Sequence, residues 1–319
     1  MPLKGHPSIP NHSRIHDVML SPADNKKFAF IVNPRAGVGQ GSPLEQLIRQ
    51  HASVHHAAFD IFYTQSRGHA SELASKSSRQ GVDCVVAVGG DGTVNEVAQG
   101  LVGTSTAMGI VPRGSGNGLA RHLGIPLNTA QAVSALFSSV VLAMDVFTIN
   151  GKLSLNVSGI GFDGHVTNLF GVKSGRGLLG YVSVTVQEFT TFREFTAEVQ
   201  ANHTHFQRNA FIIAIANSSQ YGNNAYIAPS ASVCDGLLHV NFLKKIPLYR
   251  MDFIYDFFSG RVGHSPYSEI IETAALEITT SSPVSYHVDG EPSGLSDHFT
   301  IALTPAALNV LHPPLAKGL

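Results

Sequence analysis

The chain has 319 residues, 43% hydrophobic and 13% charged, which supplies apolar material for roughly two domain cores and excludes a disordered chain. Lys and Arg total 21 against 22 Asp and Glu, a formal net charge of −1, and that balance argues against a nucleic-acid partner held on a broad basic face. Cys84 and Cys234 lie far apart and outside any paired-ligand spacing, so a zinc site or disulfide framework is not expected and a reducing cytoplasm fits.

Residues 1–24 carry prolines and polar residues without a continuous apolar core, and are read as a loose arm rather than a secretory signal. No apolar run in the chain approaches the ~20 residues of a transmembrane segment. From Lys27 onward strands alternate with helices. KFAFIVN predicts a short apolar strand, and SPLEQLIRQHASV predicts a helix with a serine cap and Pro43 in its first turn. AAFDIFYT alternates as a strand does, and GHASELASKSSRQ predicts a helix closed by Gly81. DCVVAVG is a continuous apolar strand of the kind buried on both faces. A helix at TVNEVAQGL, a strand at AMGIVP and helices at GNGLARHL and TAQAVSALFS complete an α/β domain over residues 25–145, with a largely parallel sheet flanked by helices.

After Asp145 the pattern becomes β-rich. AMDVFTI and KLSLNVSGIG flank Asn150-Gly151, which suits a tight hairpin, and FTAEVQA with FQRNAFIIAIANS predicts a second hairpin around NHTH. Further strands are expected at GLLHVNFLKK, AALEITTS, VSYHVDG and HFTIALTPAALNVL, with an amphipathic helix at LYRMDFIYDFFSG. The expectation is a second, sandwich-like β domain over residues 146–302, with the tail from about 303 to 319 returning to the first domain.

Three glycine-bearing turns follow strands in the first half: NPRAG (33–37), GGDGT (89–93) and PRGSGNG (112–118). In an open parallel sheet the crevice beyond the carboxyl ends of the strands binds ligands, and glycine lets backbone N–H groups approach phosphate oxygens. Helices starting near Thr93 and Asn117 add partial positive charge there. Asp91 is the odd member, because a carboxylate among such amides repels an anion unless it binds a cation or acts on a hydroxyl. Both roles belong to phosphoryl transfer. Neither G-x-x-x-x-G-K-[ST] nor a G-x-G-x-x-G opening a helix after the first strand is present, which removes two common nucleotide sites.

GGDGTVNEVAQGL with VPRGSGNGLARHLGIP resembles the diacylglycerol kinase catalytic-domain family, which includes sphingosine kinases, ceramide kinases and bacterial lipid kinases. The resemblance extends through NPRAG, YTQSRGHASELA, NVSGIGFDGHV, YGNNAYIAPSASVCDGLLHV and HVDGEP, in the family's order. It implies a nucleotide-binding α/β domain and a β-rich domain, with ATP and a lipid meeting in the cleft between them. It further implies nucleotide contacts from Asn33, Thr64, Gly90, Asp91, Gly92, Thr93, Val94, Asn95, Glu96 and Ser115, the last standing where many bacterial members have Thr. Glu291 matches the family's general base, with Asp289 beside it, and Asp91 competes as base or metal ligand. A structural Mg²⁺ site is implied at Asp235, helped by main-chain oxygens of Ser232 and Leu237. Asn117-Gly118 departs from the Asn-Asp of bacterial diacylglycerol kinases towards the sphingosine kinase version, which raises a long-chain base beside diacylglycerol as substrate.

Several residues stay open at this level. Asp163 is either a turn acid or a site acid, and Arg113 and Arg121 are either phosphate partners or surface cations. His287 is singled out only by its closeness to Asp289. The stretch 168–195, with Leu178, Leu179, Tyr181, Phe189, Phe192 and Phe195, is either ordinary core or a lipid-facing surface. The expected activity is ATP-dependent phosphorylation of a lipid hydroxyl, by a cytoplasmic protein in transient contact with a membrane. A soluble-substrate kinase of the NAD kinase type and a non-catalytic lipid-binding protein are the alternatives, and a homodimer is an open expectation.

Overall fold

The computed structural model describes residues 25–36, 42–172, 188–247 and 249–314. The expected arm (1–24) and the central part of 168–195, with Leu178, Leu179 and Tyr181, therefore lie outside the described residues. In the first half, β1 (Lys27–Val32), α1 (Ser42–Val54), β2 (Ala58–Tyr63), α2 (His69–Arg79), β3 (Cys84–Gly89), α3 (Asp91–Gln99) and β4 (Ala107–Pro112) alternate as the sequence pattern predicts, followed by α4 (Gly118–His122) and α5 (Thr129–Leu136). The strands pair in parallel in the order β2-β1-β3-β4. The chain thus leaves β1 on one side for β2 and returns on the other for β3, which opens a crevice at the carboxyl ends of β1 and β3. Every residue of β3 and β4 is buried, because helices cover both faces of this sheet.

The second half comprises β5 (Val140–Ile149), β6 (Lys152–Ser154), β7 (Val157–Gly161), α6 (Phe162–Val172), β8 (Phe195–Ala201), β9 (Thr204–Ala210), β10 (Ile212–Ala216) and β11 (Leu238–Leu243). It continues through α7 (Met251–Phe258), β12 (Ser268–Thr273), β13 (Ala275–Val288) and β14 (Glu291–His312). The Asn150-Gly151 turn joins β5 to β6 with φ of 49° and 75°, the positive values a two-residue hairpin needs. The second hairpin turns at Asn202-His203, one residue pair inside the predicted NHTH.

Four differences from the sequence pattern matter. KLSLNVSGIG is two strands, because β6 ends at Ser154 while β7 pairs with β10 and β13 instead. AALEITTS and VSYHVDG form one strand, β13, with register shifts that absorb the intervening residues. Helix α6 carries glycines that disguise it as a loop, and β12 is a half-exposed edge strand with weak alternation.

Strand β14 links the two halves. It pairs with β13 over its first part and with β5 over its second, and Val310 reaches Met108 of β4 in parallel. Within the pairing to β5 its register slips after Thr304, and the buried carboxylate of Asp145 fills the irregularity. Asp145 accepts the N–H of Ala306 and the N–H of Gly236, each at 2.7 Å. Two large apolar cores result, one around β1, β3 and β4 with their helices, the other around β7, β10, β13 and β14. Each fully buried Ile, Val or Phe in them contributes about 1.5–3 kcal/mol by leaving water. Among the described residues no helix is long and apolar enough to cross a membrane.

Helix α4 is tied to the second half by His122, whose Nδ1 accepts the N–H of Ser219 at 3.2 Å and sits 3.0 Å from its hydroxyl. Burial pulls the imidazole from its ordinary 6.5 down to about 4. The unfolded chain therefore takes up this proton at a higher pH than the folded protein, so stability is full above pH 6.5 and falls as pH drops towards 4. The loss across that window is about 3 kcal/mol. In denaturant unfolding at several pH values, His122→Asn, which keeps an acceptor for Ser219, should lose this part of the acid sensitivity.

Candidate active site

The three glycine turns converge on one cleft of about 1160 Å³ between the halves. Asn33 to Ala36 line it after β1, Thr64 to Arg67 after β2, and Arg113 to Ser115 after β4. Gly90, Gly92, Thr93, Asn95 and Glu96 contribute from the start of α3, and Lys152, Leu153 and Glu291 close it from the other half. The polarity suits a polyphosphate, since Arg35, Arg67, Arg113 and Lys152 stand around the amides at the start of a helix.

Local bonding explains why these loops hold their shape. The GGDGT and PRGSGNG turns touch back to back, and a Cβ on Gly114 would lie 2.6 Å from the Cα of Gly90, so only glycine permits the approach. Asn117 has φ 50° and ψ 46°; its side chain accepts the N–H of Gly114 at 2.9 Å and donates to the carbonyl of Gly114 at 2.8 Å. Asn33 donates to the Thr93 hydroxyl at 3.2 Å and accepts the N–H of Arg35 at 2.9 Å, which joins the first turn to the second. Glu96 accepts the N–H of Ala70 at 3.3 Å and so fastens the first turn of α2 at the cleft wall.

The sequence-selected acids separate into different environments. Asp91 accepts the N–H groups of Asn117 and Gly118, each at 2.9 Å, and is thereby the clasp between the two glycine turns. Its oxygens are engaged with backbone, so a metal or proton-accepting role would have to share them. Asp289 is enclosed: it accepts from the Ser154 hydroxyl (2.7 Å), the N–H of Leu155 (2.8 Å), the N–H of Asn156 (3.0 Å) and the Asn95 side chain (2.8 Å). Burial pushes its carboxyl above the ordinary carboxylate range, against the pull of those four donors. Glu291 alone of the three faces the cleft. Its side chain is half exposed and pairs with Arg67 at 3.1 Å, and a Cβ on Gly92 would lie 3.3 Å from its Oε1. The second half thus sets a carboxylate directly over the first turn of α3.

Thr64 and Ser115 are on the cleft wall, whereas Val94 is buried in the core of the first half. Arg113 lines the cleft; Arg121 instead braces the Gly116 carbonyl at 3.1 Å and reaches Asn223 at 3.3 Å. Sequence reasoning missed Arg35, Arg67 and Lys152. Arg35 stood inside the quoted NPRAG and Arg67 inside TQSRGHA, so a search for cations next to the glycine turns would have found both.

Residues 27–149 match the family described as "Diacylglycerol kinase catalytic domain", and residues 156–312 match the "YegS C-terminal NAD kinase beta sandwich-like domain". A Klebsiella pneumoniae (strain 342) protein named "Probable lipid kinase YegS-like" is 30% identical over 259 residues, covering 79% of this chain and 85% of that one. The chain belongs to the diacylglycerol kinase catalytic-domain family. Another member, "Probable lipid kinase YegS" of Salmonella arizonae, is 28% identical over 79% of this chain and 85% of its own. The family fold is also seen in the crystal structure of a diacylglycerol kinase from Bacillus anthracis str. Sterne. At 22% sequence identity it has a TM-score of 0.70, over 91% of this chain and 97% of that one.

The metal position that the family resemblance implied is next to Gly236, whose N–H meets the Asp145 carboxylate that also holds Ala306 of β14. Asp235 accepts the N–H of Leu237 at 3.0 Å, and its second oxygen is 4.0 Å from His239 Nε2. The Asp145 carboxyl, raised by burial and further by the neighbouring charge of Asp235, spends both oxygens on backbone. Among the described residues no three His, Cys, Asp or Glu side chains surround a common point. A cation there would have Asp235 as its one carboxylate ligand and would need main-chain carbonyls and water for the rest, as a hard cation does.

Asp289→Asn keeps the shape but turns an NH₂ group onto the N–H of Leu155 or of Asn156, whichever way the amide sits. The expected cost is about 2–4 kcal/mol, read from the denaturant midpoint at neutral pH.

Proposed function

We propose that this chain is an ATP-dependent kinase that transfers the γ-phosphoryl group to a lipid hydroxyl of the diacylglycerol or sphingoid-base type. The observation that carries the reading is Glu291, brought by the second half over Gly92 at the start of α3, inside a cleft walled by cations. The names of the relatives support the choice of lipid as acceptor.

In this reading the nucleotide phosphates lie against the amides of the GGDGT and PRGSGNG turns, with Asn33, Thr64, Thr93 and Ser115 supplying polar contacts. Arg35, Arg113 and Lys152 neutralise the phosphate charge. The lipid hydroxyl attacks the γ-phosphorus, Glu291 accepts the hydroxyl proton as the new P–O bond forms, and the bond to the β-phosphate oxygen breaks to release ADP. Arg67 holds Glu291 before the nucleotide arrives, and the triphosphate competes for the guanidinium. Asp91 and Asp289 keep the turns in register rather than touching the reacting atoms. Mg²⁺ bound with the nucleotide would supply neutralisation of the phosphate charge. A second, structural ion would be held by Asp235 with the carbonyls of Ser232 and Leu237. The nucleotide-binding part is residues 25–145 with the returning strand from about 303, and the lipid-binding part is 146–302. The setting is the cytoplasmic face of a membrane, met transiently.

A labelled-ATP assay across diacylglycerol, sphingoid base, ceramide and NAD should show transfer to a lipid; transfer to NAD alone would replace this reading with the soluble-substrate one. Glu291→Gln should lower kcat by about 10²–10⁴-fold with an unchanged melting temperature. Transfer at the wild-type rate would remove Glu291 as base. Arg67→Ala should raise KM for ATP with little change in stability, since both partners of its ion pair are exposed.

A further inference from the structure

We propose that Asp163 and His287 form a positioning pair that holds the turn carrying Glu291, an inference that rests on the kinase reading of that turn. Neither residue lines the cleft. His287 is the buried residue of β13 opposite Gly159 of β7, and its ring spans two partners. On one side Nε2 lies 3.2 Å from Asp163 Oδ2. On the other, Nδ1 accepts the N–H of Gly290 at 3.1 Å, the residue between Asp289 and Glu291. A carboxylate accepts and a backbone N–H donates, so the two contacts together require a neutral ring with its proton on Nε2. The other tautomer would turn a proton towards the Gly290 amide and push the turn away.

Asp163 is itself held in one orientation. Its Oδ2 also accepts the Tyr221 hydroxyl at 2.8 Å, and its Oδ1 accepts the N–H of Gly164 at 2.8 Å. Burial, reinforced by the Asp163 charge, raises the Tyr221 hydroxyl well above its ordinary pKa, so Tyr221 stays a donor. The carboxylate occupies the space where a side chain on Gly159 would be, which explains the glycine at this position of the buried strand. The turn needs such support: Asp289 and Gly290 are both left-handed, with φ of 47° and 82°, and Asp289 is not glycine. Asp289 anchors the turn from below through its carboxylate, while His287 holds the next amide, leaving Glu291 the single outward side chain. A base displaced by about 1 Å can lose up to 10²-fold in rate.

The test compares wild type with His287→Leu, His287→Asn and Asp163→Ala, after a melting curve shows each to be folded. Asn places a carbonyl oxygen where Nδ1 stood and so restores the acceptor for Gly290; Leu does not. Nitrogen NMR of the ring in wild type should show the proton on Nε2, and Asp163→Ala should lose that preference. Amide exchange at Gly290 should be about tenfold faster in His287→Leu and Asp163→Ala than in wild type or His287→Asn. For phosphate transfer, kcat should fall about 10- to 100-fold in the same two variants, with KM for ATP unchanged and with recovery in His287→Asn. Gly290 exchange insensitive to these substitutions, a ring proton on Nδ1 in wild type, or a kcat that His287→Asn fails to recover would each overturn the proposal. Should the wild type phosphorylate no lipid, the kinase reading falls, and exchange with ring NMR still decides whether the pair holds the turn.

Discussion

The enclosed carboxylate of Asp289 draws together three segments: helix α3 of the phosphate-facing loop through Asn95, the end of β6 through Ser154, Leu155 and Asn156, and the turn that carries Glu291. A buried acid is costly unless its lone pairs are met, and here four donors converge on two oxygens. Asn95 comes from α3 and the other three donors are consecutive residues at the break between β6 and β7, so the one carboxylate ties these two places together. That break exists because Leu155 and Asn156 turn their amides to the carboxylate instead of to a neighbouring strand. The cleft is thus defined by a polar nail at its base, with apolar cores on either side of it.

The glycine turns show the complementary principle, in which removing side chains lets backbone meet backbone. Gly90 and Gly114 abut, Asn117 closes its own loop, and Asp91 clasps that loop from the neighbouring turn. An acid that looked out of place among phosphate-facing amides has its negative charge taken up by two amides of the protein itself. The other loop residues at the start of α3 line the cleft together with Arg35, Arg67 and Arg113, where an anionic ligand would meet backbone amides and guanidinium groups.

Much of this was legible in the sequence because it depends on local pattern. The alternation of β1 to β4 with their helices, the Asn150-Gly151 hairpin and the convergence of three glycine turns follow from periodicity, turn chemistry and the parallel-sheet rule. The roles of the acids were less legible. Asp91, Asp289 and Glu291 are equivalent as letters, and only the fold separates a clasp, a buried anchor and an outward carboxylate. Asp163 and His287 lie far apart in the chain, so no spacing could pair them, although closeness to Asp289 had marked His287. Helix α6 hid behind Gly164 and Gly171, where packing against β13 and β14 outweighs weak helix propensity.

Strand β14 has a consequence for how the molecule is made. Its last residues supply the partner of β5 and reach β4, a strand that leaves the ribosome when most of the chain is still unmade. Until then the edge of β4 has no β14 beside it, and such an edge invites pairing with other chains. Contacts between distant parts of a chain form slowly, since the loop between them must close first. The two halves therefore cannot mature one after the other, as beads on a string do; the first is finished by the end of the second. Crowded expression would tax this protein at its nascent stage more than in its completed form.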